Sequence, residues 1–353
     1  MKKAVALLMS FSLVTSLLLS GCNSSPSPGT NTNPGTSSGN SSVSSTPAPS
    51  TEAPVTLIYS GEESASNTRG MMMKKFAELV SEKSNGNLTI DVYLDGKLGT
   101  AREALEAMQT AGDVDLVCTV EPLSYWTDVV NVLSVPYVFD DEDHVDAFMN
   151  SEAGEEFCQA MLDAANVRVL TYAPTDPRVV TSNREITCLA DMQGMTIRVP
   201  ETATGPIAFE AMGCKVTTMA FSELFSALQQ GVIEAQENPL NFMVTNSFYE
   251  VQKYVAVTNH SVTLPFLFIS EASWNKLTEN QQNILLEAAE ESRLYEKQLR
   301  ADMEQEVLDT LDKNGIVIHE VNRDEFKQAV QTIYPQLSET VQYWIEKIQA
   351  VEH

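Results

Sequence analysis

Apolar and polar positions along this chain switch repeatedly between a period of two and a period near 3.6, the spacings of strands and helices. Residues 55–59 read as an apolar strand. Met72, Phe76, Leu79 and Val80 then fall at i, i+4, i+7 and i+8, predicting a helix that closes at Asn85-Gly86. Leu88, Ile90, Val92 and Leu94 alternate as a strand, residues 100–110 read as a helix with Leu105 and Met108 inward, and 114–119 read as a buried strand. After Pro136, helices near 145–149 and 155–165 precede a strand at 167–172. The second half repeats the alternation. A strand at 196–199 stops at Pro200, followed by a helix over 204–212, a strand at 215–218 and a helix over 221–230 closed by Gly231. Strands are expected at 232–236 and 262–269, with a helix between them from Pro239 to about residue 247. From 278 to 311 no Gly or Pro interrupts, and Leu285, Ala288, Ser292, Tyr295 and Leu299 keep helical spacing, predicting one long helix or two in line. Alternating elements of this kind predict an α/β fold, and the absence of a repeat of roughly 20 to 50 residues excludes a solenoid.

The N-terminus obeys a different logic. Lys2 and Lys3 precede an apolar run over 4–19 that ends in Leu19-Ser20-Gly21-Cys22. A spanning helix needs roughly 20 apolar residues; this shorter run ending in small residues reads as a signal peptide, 1–21, with a lipobox. Cleavage before Cys22 would present its thiol for a diacylglyceryl group. Residues 23–54 are dominated by Ser, Thr, Asn, Pro and Gly, cannot bury a core, and are expected to form, with Cys22, a lipidated flexible tether over 22–54. About 300 residues remain, enough for two domains of ordinary size.

Charge narrows the function. The whole chain carries −26, and losing Lys2 and Lys3 makes the processed form −28, so nucleic acid is excluded as an expected partner. An anionic ligand would need a locally positive lining. Cys118, Cys158, Cys188 and Cys214 are spaced too irregularly for a metal site, and unpaired thiols are preferred over bridges in a chain this long. His144, His260, His319 and His353 are scattered, so no metal or other cofactor is expected. Gly-x-Ser-x-Gly, a phosphate-binding Gly-rich loop and His-Glu-x-x-His are all absent, which argues against an enzyme. Two domains with no linker between them suggest several crossover segments and a ligand cleft closed by hinge motion.

Two sequence blocks carry a resemblance. Asp191-Met192-Gln193-Gly194-Met195-Thr196-Ile197-Arg198-Val199-Pro200 and Met219-Ala220-Phe221-Ser222-Glu223, continued by Gly231-Val232-Ile233-Glu234-Ala235-Gln236-Glu237-Asn238-Pro239, resemble the solute-binding proteins of tripartite ATP-independent periplasmic (TRAP) transporters, the DctP family. Phe248-Tyr249-Glu250-Val251-Gln252-Lys253-Tyr254 and Thr258-Asn259-His260 extend it. The resemblance implies a two-domain, periplasmic-binding-protein-like (Venus flytrap) fold with interlaced domains and a long C-terminal helix. It places one domain at 55–175 plus about 264–303 and the other at 176–263 plus about 304–353. It further implies a small organic acid as ligand, membrane permease subunits as partners, and an extracytoplasmic location at the outer face of the cell membrane or in the periplasm.

By resemblance, Arg198 meets the ligand carboxylate, and its planar guanidinium suits two parallel hydrogen bonds. Arg178 matches a second basic position, Asn238 an amide that reaches the ligand, and Phe221 an apolar wall of the pocket. Glu62, Asn67 and Arg102 align with early cleft loops, and Glu121, Tyr125 and Trp126 with the loop after the third strand. A Glu and paired aromatics suit a polyhydroxylated acid, such as a sugar acid, better than a bare dicarboxylate. Ala235 departs from the family pattern, where Gly is frequent. The alternative from another class is a ligand-sensing subunit docking on a membrane receptor kinase, since one binding fold serves both.

Overall fold

The computed structural model describes residues 53–353, except 111, 201 and 220. The expected signal peptide, Cys22 and nearly all of the tether lie outside the described residues.

The first half builds β1 (Val55–Ser60), α1 (Thr68–Lys83), β2 (Leu88–Tyr93), α2 (Ala101–Thr110), β3 (Leu116–Thr119), α3 (Glu142–Met149), α4 (Glu152–Ala165) and β4 (Val167–Tyr172). The chain then forms β5 (Arg178–Ser182), β6 (Thr196–Val199), α5 (Gly205–Ala211), β7 (Lys215–Thr218), α6 (Phe221–Gln229), β8 (Ala235–Pro239), α7 (Leu240–Thr245) and β9 (Tyr254–Ser261). It closes with β10 (Phe266–Ser270), α8 (Glu271–Trp274), α9 (Glu279–Lys313), β11 (Val317–Glu320), α10 (Arg323–Gln331) and α11 (Glu339–Gln349).

Two sheets organise these elements, in the orders β2-β1-β3-β10-β4 and β11-β9-β5-β8-β6-β7. Each is covered on both faces, which explains strands that are apolar throughout. In β10, Phe266 and Phe268 enter one apolar cluster while Leu267 and Ile269 enter the cluster behind the sheet. Val180, Ile197 and Ala256 against Val179 and Val255 divide the second sheet likewise. Because β10 belongs to the first sheet and β11 to the second, the chain crosses between lobes more than once. The longest connection is α9, 35 residues and about 52 Å at 1.5 Å per residue. It opens with a capping box between Thr278 and Gln281. Ile284, Leu285 and Ala288 pack in the first lobe, and Val307 and Leu311 in the second.

Three expectations change. The strand expected at 232–236 begins at Ala235, because Gly231 (φ +69°) turns the chain and leaves Val232 60% exposed. It runs through Pro239, which stands at the last position of the strand, opposite Arg178 at the start of β5. The strand expected at 262–269 begins only at Phe266, beyond Pro265, as β10, and β9 over Tyr254–Ser261 was not expected. The C-terminal end does not stay with the second lobe. In α11, Val341, Trp344, Ile345 and Ile348 form one helical stripe that packs into the first lobe's core, with Trp344 edge-on to Phe157 at 4.9 Å. Cys118, Cys158, Cys188 and Cys214 are all unbridged thiols.

Candidate functional site

A cavity of about 100 Å³ opens between the lobes. The first lobe supplies Val120, Glu121, Ser124 and Ser134, and the second Arg178, Val199, Phe209, Glu237 and His260. Arg178 opens β5, Glu237 sits on the adjacent β8 and His260 near the end of β9, so three neighbouring strands aim charge at one point.

Arg178 holds Glu237 with both oxygens engaged: Nε donates to Oε2 and Nη2 to Oε1 at 2.8 Å. Nη2 also reaches the Glu237 carbonyl at 2.8 Å and Asn238 Oδ1 at 3.1 Å. Nη1 has one partner among the described residues, Thr263 Oγ1 at 3.5 Å. Thus the Nε–Nη2 edge is anchored while the Nη1 corner keeps donor capacity toward the cavity. His260 Nε2 lies 3.0 Å from Glu237 Oε2, and its Nδ1 lies 2.8 Å from Thr258 Oγ1.

Burial alone would push the Glu237 carboxyl up, but the Arg178 guanidinium and the His260 hydrogen bond hold it at about 2. For His260, burial dominates and lowers the imidazole below its ordinary value, against the pull of Glu237. A neutral ring then donates from Nε2 to Glu237 and accepts the Thr258 hydroxyl proton at Nδ1. Both folded values are depressed, which sets the sign. Below about pH 6.5 the unfolded chain protonates His260 before the folded one does, so stability falls. The Glu237 contribution is present above about 4.5 and is lost as pH falls toward about 2. Urea denaturation of wild type and His260→Gln between pH 7 and 5 should show a smaller decline in the variant; equal declines would refute this assignment.

Arg198 is 4% exposed, and its Nε and Nη2 donate to the Met219 carbonyl at 3.1 and 2.7 Å, which orients the guanidinium. It pairs across β6 and β8 with Gln236. Asn238 is more than a turn residue before Pro239: its Nδ2 donates to Gln236 Oε1 at 2.6 Å, and Gln236 donates to Thr181 Oγ1 at 2.6 Å. A buried polar chain therefore links Arg178 to Gln236, the residue of β8 in register with Arg198.

The other expected residues scatter. Glu121 shares the interlobe cavity with Arg178, while Asn67 lines a smaller second cavity and caps α1 by accepting from Arg69 N at 2.9 Å. Glu62 Oε2 accepts from Ala101 N at 2.9 Å, capping α2. Trp126 packs against the first lobe's core, and Arg102 lies 4.0 Å over the Tyr125 ring. Phe221 is 41% exposed and packs edge-on to Phe242 and Phe248. Glu237 and His260 were missed as site residues. The signal was present: Gln236-Glu237-Asn238 are consecutive polar residues, all buried in a central strand, where isolated charge is unaffordable without partners.

Asp140, His144 and His353, scattered in sequence, come together with ligand atoms within 4.8 Å. They are satisfied without an ion. Lys327 Nζ holds Asp140 Oδ1 at 2.7 Å, and His144 Nε2 meets the Ile348 carbonyl at 2.9 Å.

Comparison with known proteins places this geometry in a family. Residues 59–340 match the family model DctP, bacterial extracellular solute-binding protein, family 7. A solute-binding protein of Roseobacter denitrificans is 34% identical over 275 residues, covering 78% of this chain and 84% of its own length. Its crystal structure with bound L-galactonate superposes with a TM-score of 0.75 at 32% identity, covering 85% of this chain and all of that one. The sialic acid-binding periplasmic protein of Vibrio cholerae is 29% identical over 83% of this chain and 92% of its own. A TRAP solute-binding protein of Chromohalobacter salexigens with bound D-glucuronate gives a TM-score of 0.78 at 26% identity, over 84% of this chain and all of that one. With the family model spanning most of the chain and both lobes aligned, this protein belongs to the DctP family of TRAP-transporter solute-binding proteins.

Proposed function

We propose that this protein captures a sugar acid in the interlobe cavity and delivers it to the permease of a TRAP transporter. The observation that carries the reading is Arg178, a lining residue of the cavity: its Nε–Nη2 edge is spent on buried Glu237, and its Nη1 corner has one contact among the described residues, Thr263 Oγ1 at 3.5 Å. A ligand carboxylate takes that corner, with Arg198 as the second guanidinium and Asn238 holding Arg178 in place. The site supplies local positive charge that a chain of −26 otherwise lacks. Relatives holding L-galactonate and D-glucuronate support a polyhydroxylated acid.

Calorimetry with L-galactonate, D-glucuronate, sialic acid and succinate tests the proposal. Binding of at least one sugar acid is expected, and Arg198→Lys should weaken it by at least about tenfold, because an ammonium cannot reproduce a bidentate guanidinium contact. Equal affinity in the variant would remove Arg198 from the clamp.

A lipid on Cys22 is proposed to hold the protein at the outer face of the membrane, with 22–54 as the tether. The motif Leu19-Ser20-Gly21-Cys22 supports this. Cys22→Ala should move the protein from the membrane fraction to the soluble fraction; unchanged membrane retention would overturn the anchor.

A further inference from the structure

Strand β9 departs from its ladder where it meets the site. Arg178 of β5 stands opposite Ser261 and Val180 opposite Ala256, so four residues, 257–260, face Val179 alone. On its other edge β9 pairs with β11 only as far as Val257. A bulge of this kind leaves main-chain groups without ladder partners and re-aims the side chains it carries. Asn259, at φ +40°, takes the left-handed backbone within it. The side chain it re-aims is His260, whose Nε2 lies 3.0 Å from Glu237 Oε2.

The carbonyls of the bulge are taken from outside the sheet. Tyr137, in the loop before α3, donates its hydroxyl to the Thr258 carbonyl at 3.1 Å and its N–H to the His260 carbonyl at 2.7 Å. Arg323, the first residue of α10, donates from Nη2 to the Asn259 carbonyl at 3.2 Å and to the Asp140 carbonyl at 3.1 Å. Three successive carbonyls are thereby held, and the same guanidinium ties the bulge to the loop that bears Tyr137. That residue parts from its own segment. Val138 and Phe139 enter the first lobe's core, whereas the Tyr137 ring, 2% exposed, enters the second lobe's. Its φ of +60° is a left-handed backbone that a bulky residue takes only where its surroundings impose it.

We propose that Tyr137 and Arg323 are positioning residues for the ligand site: they hold the bulge in β9 that carries His260 onto Glu237, and so fix the carboxylate that anchors Arg178. This rests on the reading of Arg178 as the group that meets a sugar acid, and deepens it. Neither residue needs to touch the ligand. No spacing in the sequence announces the pair, because each acts on main-chain atoms of a strand 121 and 64 residues away.

The test pairs calorimetry with L-galactonate and D-glucuronate with NMR of the His260 ring, both at pH 7 on the full chain. Tyr137→Phe removes one hydroxyl and Arg323→Met one guanidinium, each leaving a carbonyl of the bulge unmet. Each should weaken binding of whichever acid wild type takes by at least about fivefold, and should speed water exchange of the His260 Nε2 proton by at least about fivefold. In a His260→Gln background, Tyr137→Phe should change affinity by less than about twofold, because residues that act through one another are not additive. Tyr137→Phe keeps the ring in its cluster and should fold; if it does not, Arg323→Met, on a half-buried side chain, carries the same comparisons. Either readout staying at its wild-type value, or an equal loss of affinity in both backgrounds, would overturn the proposal. Failure of wild type to bind either acid would instead remove the sugar-acid reading, and exchange of the Nε2 proton would then decide the positioning by itself.

Discussion

Arg178→Met is expected to lower unfolding stability by about 3–5 kcal/mol in urea denaturation, the cost of leaving a buried charge without its partner. Glu237 is 3% exposed, and Arg178 supplies the only cation that engages both of its oxygens among the described residues. His260 cannot replace it, because burial keeps the imidazole neutral near pH 7. The double variant Arg178→Met with Glu237→Met should recover most of the loss, since removing both charges removes the uncompensated one. Sugar-acid binding should remain lost in the double variant, which separates the pair's structural role from its role in the site. A single-variant loss below about 1 kcal/mol would mean that Glu237 is solvated or protonated in the folded protein, and would undo the account of the depressed carboxyl.

Trp344→Ala should cost a comparable amount, about 3–5 kcal/mol, for a different reason. Its indole is 3% exposed and stands against Phe157 in the first lobe, with Val341, Ile345 and Ile348 flanking it on the same stripe of α11. Truncation leaves a void that the surrounding aromatic cluster can only partly close. The effect is read as a fall in melting temperature. An unchanged transition would show that α11 is not held to the first lobe, contrary to its packing. Ligand affinity measured well below the transition should hardly move, because α11 contributes no residue to the interlobe cavity.

Elements with strong local periodicity were legible from the residues alone. Helix α9 is the clearest case, because a run without Gly or Pro between two recognisable ends leaves little choice. What escaped was set by partners distant in sequence. Strand β5 begins at an Arg and contains Thr and Ser, so its composition does not announce a central strand; its neighbours β8 and β9 make it one. Helix α11 has an obvious apolar stripe, but only the three-dimensional path shows that the stripe returns to the first lobe.

The site was legible to the extent that motifs carried it. Arg178, Arg198 and Asn238 were expected through resemblance, and the structure joins Arg178 to Asn238 directly and places Gln236, bonded to Asn238, beside Arg198. The state of Arg178 was not legible, because nothing in the spacing of Glu237 and His260, 59 and 82 residues away, indicates that Glu237 meets it and His260 meets Glu237. Glu62 has a structural part that its spacing did not announce. A carboxylate near a helix start serves as readily to cap backbone N–H groups as to meet a ligand, and here it caps α2.

The central claim is that the cavity between the lobes receives the carboxylate of a sugar acid on Arg178, which lines it, with Arg198, next to the lining residue Val199, as the second guanidinium. A crystal structure of the protein with L-galactonate tests it most directly. The account predicts the ligand in that cavity, with carboxylate oxygens about 2.7–2.9 Å from Arg178 Nη1 or the Arg198 guanidinium, the range of a charge-assisted hydrogen bond. A ligand bound there with its carboxylate turned to solvent, or away from both arginines, would contradict it.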